Sequence, residues 1–354
     1  MKLFARVMRR LRRELNKIGL LVPVRQFECL KAEGKFRILV VAPGSISIPA
    51  IGWGAVETVV SETLDQYMSL ESQIWLLNSR HFIDWHSARK LDYDLIVSHS
   101  DFHTQQIKKY WPNTVSIGIS HYGYAAFPDK WDRKYIDVLT NLSRHNMVVC
   151  LSQAVYLEYS KHISSEKLML SPNGSSFQPV LELSKIDLFL CVGKVEARKR
   201  QFELYKEFKA ADRLIHFIGN IEDPRVKKEL EIDSGAARYF IGPMTRSELA
   251  AQISKYKALV LISDGEGDAL VLYEAQLAGL PILVSKSALG SQNLSLDWVR
   301  VISKNFSIQE LDEAYSDVRS NSKEIVNYAQ ENYNWEVRNQ PLLDYCRTIL
   351  TRNS

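Results

Sequence analysis

The chain has 354 residues, 46% of them hydrophobic and 24% charged, with a net charge of +4. It is too long for one typical core, too well mixed for a disordered or fibrous chain, and too weakly basic to argue for a nucleic-acid partner. No run of about 18 apolar residues reads as a membrane span, and four dispersed cysteines without a CxxC pair argue for a reducing compartment and against a disulfide framework or a zinc site.

Met1–Lys17 carries Lys2, Arg6, Arg9, Arg10, Arg12, Arg13 and Lys17 against Glu14 alone, with Leu3, Phe4, Val7, Met8, Leu11 and Leu15 at three- and four-residue spacing. This is a basic amphipathic helix. It suits an anionic lipid surface, where each basic residue is worth about 1 kcal/mol; an ordinary surface helix is the alternative. Residues 1–34 are read as this helix and a linker. No apolar segment of signal-peptide type follows it, so the expected location is cytoplasmic, peripheral on the inner face of a membrane.

Lys35–Ala42 (KFRILVVA) reads as a buried parallel strand, and residues 43–54 as a loop with three glycines. Ala55–Leu70 is helical. Short apolar strands recur at Gln73–Leu77, Leu95–Ser98, Val115–Ile119 and Met147–Leu151, mostly separated by helical patterns such as Gln153–His162. The alternation predicts a parallel sheet covered on both faces. Ser171-Pro172-Asn173-Gly174 is turn chemistry. The pattern then restarts, with strands at Asp187–Val192, Leu214–Ile218, Arg238–Ile241 and Leu259–Ser263. Helices follow at Lys199–Ala210, Asp223–Glu231 and Arg246–Ser254. The fold class is α/β, two doubly wound Rossmann-like domains facing a central cleft: residues 35–175 on the acceptor side, 185–333 on the donor side. Residues 334–354 form a final helix, about Trp335–Ile349, crossing back to the first domain. A ligand belongs outside the carboxyl ends of the strands.

Ser263–Pro281 (SDGEGDALVLYEAQLAGLP) carries the most chemistry. A strand runs into a glycine turn at Gly265 and Gly267, then into a helix stopped by Gly279-Leu280-Pro281. Free N–H groups at a helix N-terminus attract phosphate. Glu274 stands eight residues after Glu266 and falls about 10 Å along the helix, a sensible distance from a diphosphate to the sugar on a nucleotide's far side. Two glutamates so spaced are otherwise solvated helix residues.

These segments resemble the retaining glycosyltransferases of family 4, which have the GT-B fold. There the motif commonly reads E-G-F-G-L followed by E-A; here it is Glu266-Gly267-Asp268-Ala269-Leu270 and then Glu274-Ala275, with Asp268 and Ala269 replacing the aromatic residue and the second glycine. Gly193-Lys194-Val195-Glu196-Ala197-Arg198-Lys199-Arg200 resembles the G-R-x-x-x-x-K-G segment. Gly52-Trp53-Gly54-Ala55-Val56-Glu57 resembles the glycine-rich loop after the first strand. His121 resembles the active-site histidine, Ser171-Pro172-Asn173-Gly174 the hinge, and Asn334-Trp335-Glu336 the start of the crossing helix. The resemblance implies catalytic roles for His121, Glu266 and Lys199. It implies donor binding by Gly52, Trp53, Gly54, Lys194, Lys199, Gly267, Asp268, Ala269, Leu270 and Glu274. It also implies a nucleotide-diphosphate sugar as donor, no cofactor, and catalysis that needs no metal. Glu274 would take the ribose hydroxyls. Lys194 and Lys199 would neutralise the diphosphate; the alternative is a basic surface run, R-K-R, at a helix start, where cations are mildly unfavourable, which favours an anionic ligand.

The remaining motifs carry less. His99 and His103 have metal-compatible spacing but straddle a strand end and a loop. Trp53, Tyr122, Tyr124 and Phe127 suit either a sugar-stacking wall or core packing. The expected activity is transfer of a hexose, with retention, to a hydroxyl of a glycan, lipid-linked if the basic helix meets a membrane, in bacterial surface polysaccharide synthesis. A nucleotide-sugar epimerase or hydrolase, or a silent nucleotide-sugar-binding protein, are the alternatives.

Overall fold

The computed structural model describes residues 24–50 and 54–352. The basic amphipathic stretch and the pair Gly52 and Trp53 therefore lie outside the described residues. Among the described residues no helix is long and apolar enough to cross a membrane.

Among the described residues seven strands build the first half: β1 (Arg25–Lys31), β2 (Phe36–Ala42), β3 (Ser72–Ser79), β4 (Leu95–Ser98), β5 (Val115–Ile119), β6 (Met147–Cys150) and β7 (Leu168–Leu170). They lie in the order β1-β3-β2-β4-β5-β6-β7. Six build the second: β8 (Phe189–Val192), β9 (Ile215–Ile218), β10 (Phe240–Gly242), β11 (Ala258–Leu261), β12 (Ile282–Ser285) and β13 (Val299–Ile302), in the order β10-β9-β8-β11-β12-β13. Every neighbouring pair is parallel except β1 with β3. Continuous apolar runs such as ILVVA in β2 and ALVL in β11 are buried throughout, as strands sandwiched between two helix layers must be.

The structure corrects three expectations. Residues 25–31, read as linker, form the edge strand β1. Its sequence RQFECLK is polar because one flank faces solvent, the usual composition of an edge. It is held by pairing with β3 and by the Arg25 guanidinium on Asp84, 2.9 Å apart. The final helix is not continuous: Trp335–Arg338 stops at Asn339 and Gln340–Arg352 begins anew. Pro341 lacks an N–H and its ring clashes with the carbonyl four residues back, so one helix cannot run through it. Leu342, Leu343, Cys346 and Leu350 of the second piece join the first half's core. Lastly, the helix expected from Lys199 starts at Gln201. Ala197–Lys199 is a separate turn, and Arg200 between them adopts a left-handed φ of 54°.

The segment after β7 stitches the halves together. Ser171 Oγ donates to Arg338 O at 3.1 Å and Ser175 N to Tyr333 O at 2.8 Å. At Gly174 any Cβ would stand 3.0 Å from the backbone of Trp335, which explains a glycine there.

Candidate active site

The loops at the carboxyl ends of β5, β8 and β11 meet between the halves. β11 is buried and apolar, and Ser263 after it fixes the turn back: its Oγ donates to Gly265 O at 3.0 Å, and Ser287 Oγ donates to Ser263 O at 2.7 Å. Asp264 N donates to Arg198 O at 2.8 Å and Glu266 N to Ser287 O at 3.0 Å. The turn is thus fixed from both sides before Glu266 projects from it.

Glu266 Oε1 lies 2.8 Å from Lys199 Nζ and 2.9 Å from Arg198 Nη1. Its side chain is 9% exposed. Burial alone would raise its pKa, but Lys199 and Arg198 outweigh burial and hold the carboxylate below its ordinary value. Arg198 also reaches Glu196 Oε1 at 2.7 Å and donates to Gly265 O. The left-handed Arg200 belongs to this geometry: it turns the chain between Lys199 and the following helix, a conformation that costs a non-glycine residue about 1–2 kcal/mol. Its guanidinium faces Asp264 at 3.7 Å.

The helix after the turn is Leu270–Leu277, buried along its whole length. Its N-cap position is Ala269, which has no side-chain oxygen, so no cap competes for the first N–H groups. Asp268, the residue before, does not cap it either. Asp268 accepts from Tyr273 OH at 2.7 Å, Asn173 N at 2.9 Å, and Ser291 N and Oγ at 3.1 Å, while Asn173 Nδ2 donates to Asp268 O at 2.8 Å. Asp268 therefore ties the turn to the hinge. Gly267 lies against Tyr122 O.

Glu274 is buried, 8% exposed, and burial raises its pKa, with Arg246 pulling the other way. Arg246 Nε lies 3.1 Å from Glu274 Oε1, and the same guanidinium contacts Glu62 of helix Ala55–Met68 in the first half. Glu62 in turn accepts from Ser176 N at 3.0 Å and Trp335 Nε1 at 2.5 Å.

From the first half, β5 leads into Ser120, His121 and the turn Tyr122–Phe127. This turn packs against the one carrying Glu266: a Cβ added at Gly265 would stand 2.6 Å from the Tyr124 ring and 2.9 Å from Phe127, and one at Gly123 2.9 Å from Arg198 Nη1. His121 Nε2 lies 3.2 Å from His99 Nδ1. Loss of surrounding water lowers the His121 pKa to about 4. Asp101, nearby, is pushed up to about 6 by burial, opposed by the Ser120 hydroxyl and the His121 backbone N–H.

The structure thus brings Lys199, Glu266, Gly267 and the start of the Leu270 helix together, with the His121 turn packed against them. Lys194 joins them one step removed: its Nζ pairs with Glu196 at 3.1 Å and Glu222 at 3.2 Å, and Glu196 also holds Arg198. Gly54, with φ of 131°, precedes helix Ala55–Met68, where a Cβ would meet Glu57. His99 follows β4 and His103 stands at the N-cap of helix Thr104–Tyr110; among the described residues no group of three or more His, Cys, Asp or Glu side chains could hold a metal. Arg198, Arg246 and Glu62 were not singled out from sequence. Arg198 stands beside Lys199 in the quoted motif and could have been chosen with it. Nothing local marks Arg246 or Glu62, which meet only through the fold.

Residues 175–335 match the family model of the glycosyl transferases group 1. No curated protein sequence matches the chain. Among solved structures the chain is similar to AviGT4, a glycosyltransferase involved in avilamycin A biosynthesis, at 16% identity over 89% of this chain and 98% of that one, with a TM-score of 0.67. It is similar to HepE of Anabaena in complex with UDP and glucose, at 13% identity over 88% and 100%, with a TM-score of 0.70. It is also similar to the lipopolysaccharide outer core galactosyltransferase WaaB, at 14% identity over 90% and 100%, with a TM-score of 0.60. The fold is GT-B, and its second half is similar to the group 1 glycosyl transferases.

Proposed function

We propose that this GT-B chain, matched over residues 175–335 to the group 1 glycosyl transferases, moves a hexosyl group from a nucleoside-diphosphate sugar to a hydroxyl of a glycan, with retention at the anomeric carbon. The observation that carries the reading is the cluster of Arg198, Lys199 and Glu266 beside the uncapped N-terminus of helix Leu270–Leu277. When the sugar leaves a diphosphate, negative charge grows on the departing oxygen. Fixed cations and oriented N–H groups stabilise that charge without reorganising. Lys199 and Arg198 are such cations, already held by Glu266, and the helix start supplies the N–H groups. His121 would face the transferred sugar, and the diphosphate would take the acceptor's proton as the new bond forms on the face it vacates. HepE, a structural neighbour, is described in complex with UDP and glucose, which supports UDP as the nucleotide.

The test is thermal stabilisation by a panel of nucleotide sugars, followed by nucleotide release with and without a glycan acceptor. Binding to the folded state raises the melting temperature by mass action. Release that needs the acceptor supports transfer; equal release from donor alone supports hydrolysis instead. Within this reading Glu274 accepts the ribose hydroxyls. Arg246 makes one contact to Oε1, which leaves a carboxylate further lone pairs. Glu274→Ala is expected to raise the UDP dissociation constant about 10-fold, the loss of hydrogen bonds to a charged group, as measured by calorimetry.

The acceptor is proposed to be lipid-linked, on the strength of the basic amphipathic pattern in Met1–Lys17. Deleting these residues is expected to release the chain from anionic vesicles in a sedimentation assay while UDP binding stays intact. Vesicle binding that survives the deletion would remove this part of the proposal.

A further inference from the structure

A small cavity lies beneath the hinge, between the core of the first half and Trp335, with Tyr67, His99 and Asn173 among its walls. The space in it open to the centre of a water molecule is about 10 Å³, close to what one water needs. Each of these three residues ends in a buried polar atom with no partner among the described residues: Tyr67 OH, His99 Nε2 and Asn173 Oδ1. Tyr67 is 0% exposed, His99 2% and Asn173 3%. Orphaned buried polar atoms are uncommon and costly, and a buried water typically makes about three hydrogen bonds. Volume and partners therefore agree.

We propose that one ordered water in this cavity joins Tyr67, Asn173 and His99 and thereby fixes the tautomer of His121, so that His99 and Tyr67 are positioning residues for the active-site histidine. The proposal rests on the functional reading of His121 given above, but its proton arrangement does not. Asn173 Oδ1 can only accept, so the water donates one proton to it. Tyr67 carries one proton. Thr63 and Asn339 lie beside the phenol and, as donors, oppose the rise that burial gives its pKa; neither stands in hydrogen-bond geometry to accept its proton. Thr63 Oγ1 donates to Val59 O and Val60 O, and Asn339 Nδ2 to Gln66 Oε1. The phenol therefore donates to the water, and the water's second proton goes to His99 Nε2. All three atoms are then satisfied at once. If His99 Nε2 donated instead, the water would accept from both His99 and the phenol, and its own second proton would have no acceptor.

With Nε2 accepting, neutral His99 carries its proton on Nδ1. That nitrogen lies 3.2 Å from His121 Nε2, so His121 Nε2 accepts and its proton sits on Nδ1. The two ring planes are 19° apart, compatible with a bond lying near both planes. Desolvation keeps both rings neutral near pH 7: it lowers His121 to about 4, and lowers His99 with further repulsion from His121. The result is a histidine that offers an N–H on Nδ1, a donor toward a sugar oxygen rather than a base.

The experiment is long-range nitrogen–proton NMR of the full chain labelled in its histidines, with the His121 signals assigned by their loss in His121→Gln. The expected spectrum shows Nδ1 protonated and Nε2 bare for both His121 and His99. Tyr67→Phe, which keeps the ring and removes the donor, is expected to divide His121 between its two tautomers. A proton on His121 Nε2 in the wild-type chain would overturn the proposal, and so would a Tyr67→Phe spectrum identical to wild type. The wild-type spectrum decides the matter even if the variant does not fold. No substrate is needed, so failure of the transfer reading and failure of the water relay register separately.

Discussion

Lys199→Ala is expected to lower kcat by about two to three orders of magnitude, the usual cost of removing one preorganised stabiliser of a developing anion. Lys199 is well placed for this. Its side chain is 12% exposed and its ammonium is pinned by Glu266 at 2.8 Å, so it neither wanders nor needs to be desolvated during the reaction. Arg198, fixed by Glu266, Glu196 and the Gly265 carbonyl, would remain and hold the ground-state diphosphate. The expectation is therefore a large fall in kcat with a smaller change in KM, read from steady-state release of nucleotide. Lys199→Arg restores charge but not shape and is expected to recover activity only in part. Full activity in Lys199→Ala would refute the role given to this cluster.

Asp268→Ala is expected to destabilise the fold by about 3 kcal/mol or more, since it strands buried donors that each cost about 1–3 kcal/mol when left unpaired. The donors are Asn173 N, Tyr273 OH and the Ser291 N and Oγ. Asp268 is 8% exposed, and burial raises its pKa against the pull of Tyr273 and the two backbone donors. Urea unfolding followed by tryptophan fluorescence is the measurement; a change within about 0.5 kcal/mol, the range of an ordinary surface substitution, would contradict it. The milder Asp268→Asn is expected to fold and to bind UDP nearly as wild type does. A donor-binding role for this side chain, as the sequence resemblance implies, predicts instead a clear loss of affinity.

Much of the architecture was legible because parallel strands buried on both faces have a plain signature. Leu95–Ser98 and Val115–Ile119 were read to the residue, since a run of four or five residues with three β-branched or aliphatic ones between polar turns admits few other boundaries. β1 was not legible, because an edge strand with one solvated flank loses the apolar run that marks the others. The break at Asn339 was hidden by the apolar spacing on either side of it, although Pro341 carried the signal. Within the site, Glu266 and Lys199 stood out through glycine turns and motif spacing, and they meet in the structure. Lys194 stood out equally, and it pairs with Glu196 two residues on and with Glu222 after β9, one carboxylate removed from Arg198. The chain from Glu274 through Arg246 to Glu62 joins residues far apart in sequence and belonging to both halves. Local periodicity carries no trace of such a contact.

Where Gly123 faces Gly265, the two turns close until a Cβ on Gly265 would strike the Tyr124 and Phe127 rings and one on Gly123 the Arg198 guanidinium. Little room is left there for bulk solvent beside Arg198 and Glu266. In such a dry seam the dielectric constant falls, and each unit of charge acts on its neighbour more strongly than it would at an open surface. The two missing methyl groups thus govern how hard the cations pull.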